Sequence, residues 1–189
     1  MRDLIGETGQ IIIAGSCALE TREQFQENIS LLKVEGINIF RASLWKPRTG
    51  PGWEGNGERG VPILLEETLP HGYIPATEVM TGDHALQIDR GVKAYGRDAR
   101  AIVWIGARNQ NHFEQRRIAS VLAEGSGQVY LMVKNQVWHD FKHWIGIFEH
   151  IIESGFPRER LIMCHRGFSP GRNENPDGYR NLPEFSMAM

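Results

Sequence analysis

Residues 45–57 read WKPRTGPGWEGNG. Inside them GPGWEG, from Gly50 to Gly55, satisfies the G-x-G-x-x-G form of a dinucleotide-binding loop. Its reading decides between a doubly wound sheet and another α/β architecture. A dinucleotide loop follows the first strand directly and opens a helix, so that backbone N–H groups meet the pyrophosphate at the helix N-terminus. Here Lys46 to Gly50 intervene after apolar sequence, and Pro51 removes a backbone donor. GERGVPILLEE follows in place of an immediate helix. The match is accidental. The glycines read instead as a mobile surface loop that lets Lys46, Arg48 and Thr49 reach a ligand.

Outside this loop, short apolar runs recur along the chain. They begin near Ile11 (IIIAGS), Ile37 (INIFRA), Tyr73 (YIPATEV), Ala101 (AIVWIGA), Val129 (VYLMVK) and Leu161 (LIMCHR). Continuous runs of this kind suit strands covered on both faces, as in parallel sheets. Between them lie helix-compatible stretches. Thr21 to Glu35 opens with Thr21 and Gln24 as a capping box and stops at Gly36; Phe113 to Leu122 and Asp140 to Glu153 carry apolar residues at helical spacing. Gly155 and Pro157 stop the last of these.

This alternation predicts an α/β fold with a parallel sheet. A repeat of roughly 30 residues matches the (β/α)₈ barrel, which needs about 250 residues for eight units. The 189 residues supply about six units as one domain, residues 1–189, so the expectation is an incomplete TIM barrel cut before strand seven. The last residues, PEFSMAM, read as the start of a helix. An open doubly wound sheet is the alternative.

Composition narrows the function classes. Hydrophobic residues at 41% and charged residues at 23% fit a globular protein, and a net charge of −2 gives no general pull toward nucleic acid or an anionic membrane. No apolar run approaches a membrane span, and the N-terminus lacks a signal-peptide core. Two cysteines, Cys17 and Cys164, are too few for a disulfide framework, which makes a reducing, cytoplasmic setting the expectation.

Positive charge is distributed informatively. Arg41 and Lys46 follow the second run, and Arg108 follows the fourth; Lys134 closes the fifth and Arg166 the sixth. In either α/β architecture the carboxyl ends of the strands share one rim, where ligands bind. A cationic pocket for phosphates follows, with Arg forks for bidentate contacts and Lys as a point charge. Charges that merely solvate strand ends are the simpler explanation of the same pattern. Cys17 ends the first run, Cys164 and His165 the sixth, and Glu78 is the best-placed carboxylate. His139 and His143 lack the Glu that a zincin helix requires and read as a solvated helix start.

The segments FRASLWKPRTGPGWEGNGERG, IIAGSCALE, ATEVM, WIGARNQNHFE, LMVKN and CHRGFSP resemble the type I class of 3-deoxy-D-arabino-heptulosonate 7-phosphate (DAHP) synthases, within the DAHP synthetase I/KDO8P synthase family. WIGARN, LMVKNQV, HDFKHWIG, HRGFS and YRNLPEF look most similar to the domain fused to chorismate mutase in some bacteria. The resemblance implies a (β/α)₈ barrel that condenses phosphoenolpyruvate with erythrose 4-phosphate, the entry step of the shikimate pathway to aromatic amino acids. By resemblance, Arg41, Lys46, Ala107, Arg108, Lys134 and Arg166 bind phosphoenolpyruvate, with Lys46, Lys134 and Arg166 catalytic. Lys46, Pro47, Arg48 and Thr49 correspond to the erythrose-phosphate site. Cys17 corresponds to a ligand of a divalent metal, whether Mn, Fe, Co or Zn. A homo-oligomer is implied, with no nucleic-acid or membrane partner.

The chain also departs from the family pattern. Gly-Pro-Cys-Ser is replaced by Gly15-Ser16-Cys17-Ala18, and the family's D-x-S-H segment and last acidic metal ligands are not found in these 189 residues. The expectation is therefore a chain with little activity alone. A phosphate-binding remnant and a sister 3-deoxy-sugar-phosphate synthase are the alternatives.

Overall fold

The apolar runs form six parallel strands: β1 (Ile13–Ala14), β2 (Ile39–Arg41), β3 (Ile74–Glu78), β4 (Ala101–Ile105), β5 (Val129–Lys134) and β6 (Leu161–Cys164). The computed structural model describes residues 11–33, 37–47 and 51–168. Sheet order equals chain order, β1-β2-β3-β4-β5-β6, and every neighbouring pair is parallel. A doubly wound sheet reverses its strand order part-way, so that alternative is excluded. The sheet is a half-barrel of strand–helix units, the expected partial TIM barrel. The helix stop at Gly36 and the PEFSMAM segment lie outside the described residues.

Both faces of the central strands β2 to β5 are covered, which is why their runs do not alternate. Alternate residues point to opposite sides. Ile39, Ala76, Ile102, Trp104, Tyr130 and Met132 form an inner cluster. Phe40, Val103, Ile105, Leu131 and Val133 point outward and pack in the larger core with Ile88, Ile118, Trp144 and Ile147. Full burial of each such aliphatic side chain contributes roughly 1.5–3 kcal/mol.

The helices are α1 (Arg22–Leu32), α2 (Gly60–Glu66), α3 (Gly82–Ala94), α4 (His112–Glu124) and α5 (Phe141–Glu153). Thr21 Oγ1 accepts the Gln24 N–H at 3.1 Å, as the capping box predicts. The reciprocal bond differs, because Gln24 Oε1 accepts the N–H of Glu20 at 3.1 Å, one residue earlier. Asp140 caps α5 through the His143 N–H at 2.9 Å, and His143 Nε2 lies 3.0 Å from Gln110 Oε1. The His139/His143 pair is thus a helix start. Among the described residues no helix is long and apolar enough to cross a membrane.

Candidate functional site

Five strand ends converge on one cavity of about 330 Å³. Lys46 and Pro47 come from the chain after β2, Glu78 from the end of β3, and Gly106, Ala107 and Arg108 from the turn after β4. Lys134 ends β5, Val137 follows it, and Arg166 lies just beyond β6. A larger groove of about 710 Å³ lies at the opposite ends of the strands, beside Asn38, Tyr73 and Arg100, and contains none of the predicted site residues. Chemistry, not size, selects the smaller cavity.

Trp104, only 1% exposed, lies beside two of the predicted cations. Lys134 Nζ lies 4.5 Å from the Trp104 ring centre, and the Arg41 guanidinium 5.2 Å from it. The negative face of an aromatic ring attracts such cations. Arg41 Nε is buried without a hydrogen-bond partner among the described residues. Arg41 itself reaches the indole, and the cavity wall is built by the other predicted cations.

Glu78 is the carboxylate in this cationic wall. Burial pushes its pKa up, and the charges of Lys134, Lys46 and Arg41 pull it partly back. Burial pushes the Lys134 ammonium down, and Glu78 opposes that shift. The proton affinities of an acid and a base are thereby brought toward each other, a feature of reactive sites. Gly106 leaves room beside them. A Cβ there would overlap Glu78 Oε1, so only glycine lets the carboxylate lie against the β4 turn. That turn is set by Asn109 N–H bonding Gly106 O at 3.0 Å and Gln110 Nε2 bonding Ala107 O at 2.8 Å.

The loop quoted at the outset is anchored at both feet, contrary to the expectation of a mobile surface loop. Lys46 N–H donates to Glu54 O at 2.7 Å, and Gly57 N–H to Leu44 O at 2.9 Å. Asn56 Nδ2 donates to Leu19 O at 2.9 Å and Glu20 O at 2.8 Å, tying the loop to the segment that follows β1. Trp45 stacks on His84 at 4.0 Å and 8°. Pro47 reaches the cavity, while Arg48 and Thr49 lie outside the described residues.

Cys17 is exposed, and its Sγ accepts from Lys46 Nζ at 2.8 Å. That hydrogen bond lowers the thiol pKa against the opposing effect of burial, with help from the Lys46 and Arg41 charges. A bound metal requires companion donors, typically four ligands for zinc. Among the described residues no three His, Cys, Asp or Glu side chains gather where they could hold an ion. Cys164 sits at the end of β6 with its thiol pKa raised by burial, and it does not join Cys17 in such a cluster. The described residues therefore do not fit a complete metal centre.

Sequence reasoning missed Trp104 and Gly106. Trp104 looked like one more apolar strand residue, and the signal lay in its position two residues before Gly106 and four before Arg108 in WIGAR.

The sequence profile described as the DAHP synthetase I family matches residues 2–185, nearly the whole chain. The chain belongs to the DAHP synthetase I family. A phospho-2-dehydro-3-deoxyheptonate aldolase of Thermotoga maritima is 30% identical over 164 residues, covering 86% of this chain and 44% of that protein. The chain thus spans less than half the length of this curated relative. A crystal structure of the Thermotoga maritima DAHP synthase superposes with a TM-score of 0.67 at 29% identity, over 82% of this chain and 42% of that one. A truncated form of a Thermotoga maritima 3-deoxy-D-arabino-heptulosonate 7-phosphate synthase superposes with a TM-score of 0.63 at 24% identity, covering 84% of this chain and 51% of that one, and supports the fold. In this DAHP synthetase I family member the half-barrel is the architecture shared with these solved structures.

Proposed function

We propose that the cavity binds phosphoenolpyruvate, and that the whole protein condenses it with erythrose 4-phosphate to give DAHP and phosphate. The observation that carries this reading is the convergence of Lys46, Arg108, Lys134 and Arg166 on one cavity in a chain of net charge −2. Two phosphorylated anions repel each other, and fixed cations offset that repulsion and hold the reacting carbons together. Arg108, Lys134 and Arg166 take the carboxylate and phosphate of phosphoenolpyruvate, with Arg41 steadied behind them on Trp104. Lys46 and Pro47, with Arg48 and Thr49, take the sugar phosphate.

In the condensation the enol carbon attacks the aldehyde, water adds at C2, and phosphate departs with the C2–O bond pair. Lys134 and Arg166 offset the charge that builds near the carboxylate and phosphate. Glu78, held against Gly106 and electrostatically linked to Lys134, is placed to accept the proton of the attacking water. The family resemblance implies a divalent metal with Cys17 among its donors, and the described residues supply too few companions to derive a step through it.

The described residues gather the cations but no three metal donors, and a second reading for them is binding without turnover. Calorimetry with phosphoenolpyruvate, paired with a phosphate-release assay containing erythrose 4-phosphate and Mn²⁺, separates the two. The expected result is binding with little release. Brisk release overturns the binding-only reading, and absence of binding overturns the assignment of the cavity.

A further inference from the structure

We propose that Asn135 is a positioning residue that sets Arg166 on the rim. The inference rests on the proposed phosphoenolpyruvate site for its functional consequence, while its structural part stands on geometry alone. Asn135 is completely buried and immediately follows Lys134, the last residue of β5. Its backbone N–H donates to Cys164 O at 3.3 Å, continuing the ladder between β5 and β6. Beyond that point its side chain takes over. Oδ1 accepts the Arg166 N–H at 2.7 Å, and Nδ2 donates to Gly167 O at 2.9 Å and to Gln136 O at 2.8 Å.

A carboxamide has the same donor and acceptor pair as a peptide unit. Asn135 therefore stands in for the next residue of a neighbouring strand. The β5 chain turns away toward α5, and the Asn135 carboxamide gives the chain after β6 an acceptor for the Arg166 N–H and a donor for the Gly167 carbonyl. The bonds fall on the Arg166 N–H and the Gly167 carbonyl, which bracket Arg166. Gly167 has φ +82°, a left-handed conformation that ends the extension at once. One buried side chain thus ties the backbone that carries Arg166 to the residue that follows Lys134. A buried, fully satisfied amide of this kind specifies a single geometry.

The test compares the full chain with Asn135→Leu, Arg166→Ala and the double variant. Amide hydrogen exchange reads the clip directly, and calorimetry with phosphoenolpyruvate reads its consequence. In Asn135→Leu the Arg166 amide should exchange about tenfold faster or more, and phosphoenolpyruvate affinity should fall roughly tenfold, the order expected when one charge-assisted contact is lost. In the Arg166→Ala background the same substitution should cause no further loss of affinity, which a general loosening of the fold would not reproduce. Unchanged Arg166 exchange in folded Asn135→Leu overturns the proposal, as does an equal loss of affinity in both backgrounds. Should Asn135→Leu fail to fold, Asn135→Ala takes its place with the same expected and contrary results. Faster Arg166 exchange in a protein whose unaltered form binds no phosphoenolpyruvate would support the clip and overturn the proposed function instead.

Discussion

Lys134 Nζ lies 4.5 Å from the centre of the Trp104 ring, so the last residue of β5 is held over an indole supplied by β4. The register pairs Trp104 with Met132, two residues before Lys134, which brings the long lysine side chain back across the sheet toward the ring. Neighbouring strands deliver the platform and the cation separately. Substituting Trp104→Leu should weaken phosphoenolpyruvate binding, measured by calorimetry, and lower the melting temperature, because a fully buried aromatic is lost as well. A fall of about 3 kcal/mol in stability is the scale for such a truncation. Trp104→Phe should keep most of the stability and lose part of the binding, since Phe is the weaker cation–π partner.

The alkaline limit of phosphoenolpyruvate binding should report Lys134. Burial lowers its pKa below that of an ordinary lysine, so its charge is lost earlier as pH rises. Glu78 works in the opposite direction by favouring the charged lysine. Glu78→Gln should therefore move the alkaline loss of binding to lower pH. Lys134→Arg should move it to higher pH, because guanidinium remains charged throughout the range. Calorimetric affinities collected across the alkaline range check both directions, and an unmoved limit in both variants would remove Lys134 from the binding step.

Gly106→Ala should displace the Glu78 carboxylate, which its new methyl group would overlap. The cost to stability should be about 1 kcal/mol, the low end for overpacking, because the neighbour is a side-chain tip rather than backbone. The diagnostic measurement is the combination with Glu78→Ala. Removing the carboxylate should recover most of the melting temperature lost by Gly106→Ala alone, and simple additivity would place the strain elsewhere.

Asn56→Leu should release the loop of residues 51–57 from Leu19 and Glu20. Each of its two hydrogen bonds contributes about 0.5–1.5 kcal/mol. Hydrogen exchange should accelerate in this loop and in the segment that holds Cys17, while β4 and β5 remain protected. Equal acceleration through the whole sheet would mean that Asn56 supports the fold rather than the loop.

Much of the framework was legible in the residues because both faces of the central strands are buried, and recurring apolar runs advertise that. The runs starting at Ala101, Val129 and Leu161 begin where β4, β5 and β6 begin. Strand ends marked by Arg41, Lys134 and Arg166 were equally visible, because a long cation is an unusual continuation of such a run. The division of each strand between inner and outer faces was less accessible, since Trp104 and Val103 are equally apolar and differ only in which way the pleat turns them. Asn135 and Asn56 gave no signal, because most of their partners are backbone atoms distant in sequence. The glycine-rich loop misled in one respect: its backbone bonds to Leu44 and Lys46 tether it, and glycine content alone cannot reveal such ties.

Among the described residues the order β1 to β6 follows the chain without a single insertion. No strand has to wait for a later one to open its place. As the polypeptide leaves the ribosome at about 5–20 residues per second, each strand–helix unit can dock against the one made just before it. Synthesis itself can therefore lay the sheet down like courses of brick, each new edge serving as the template for the next.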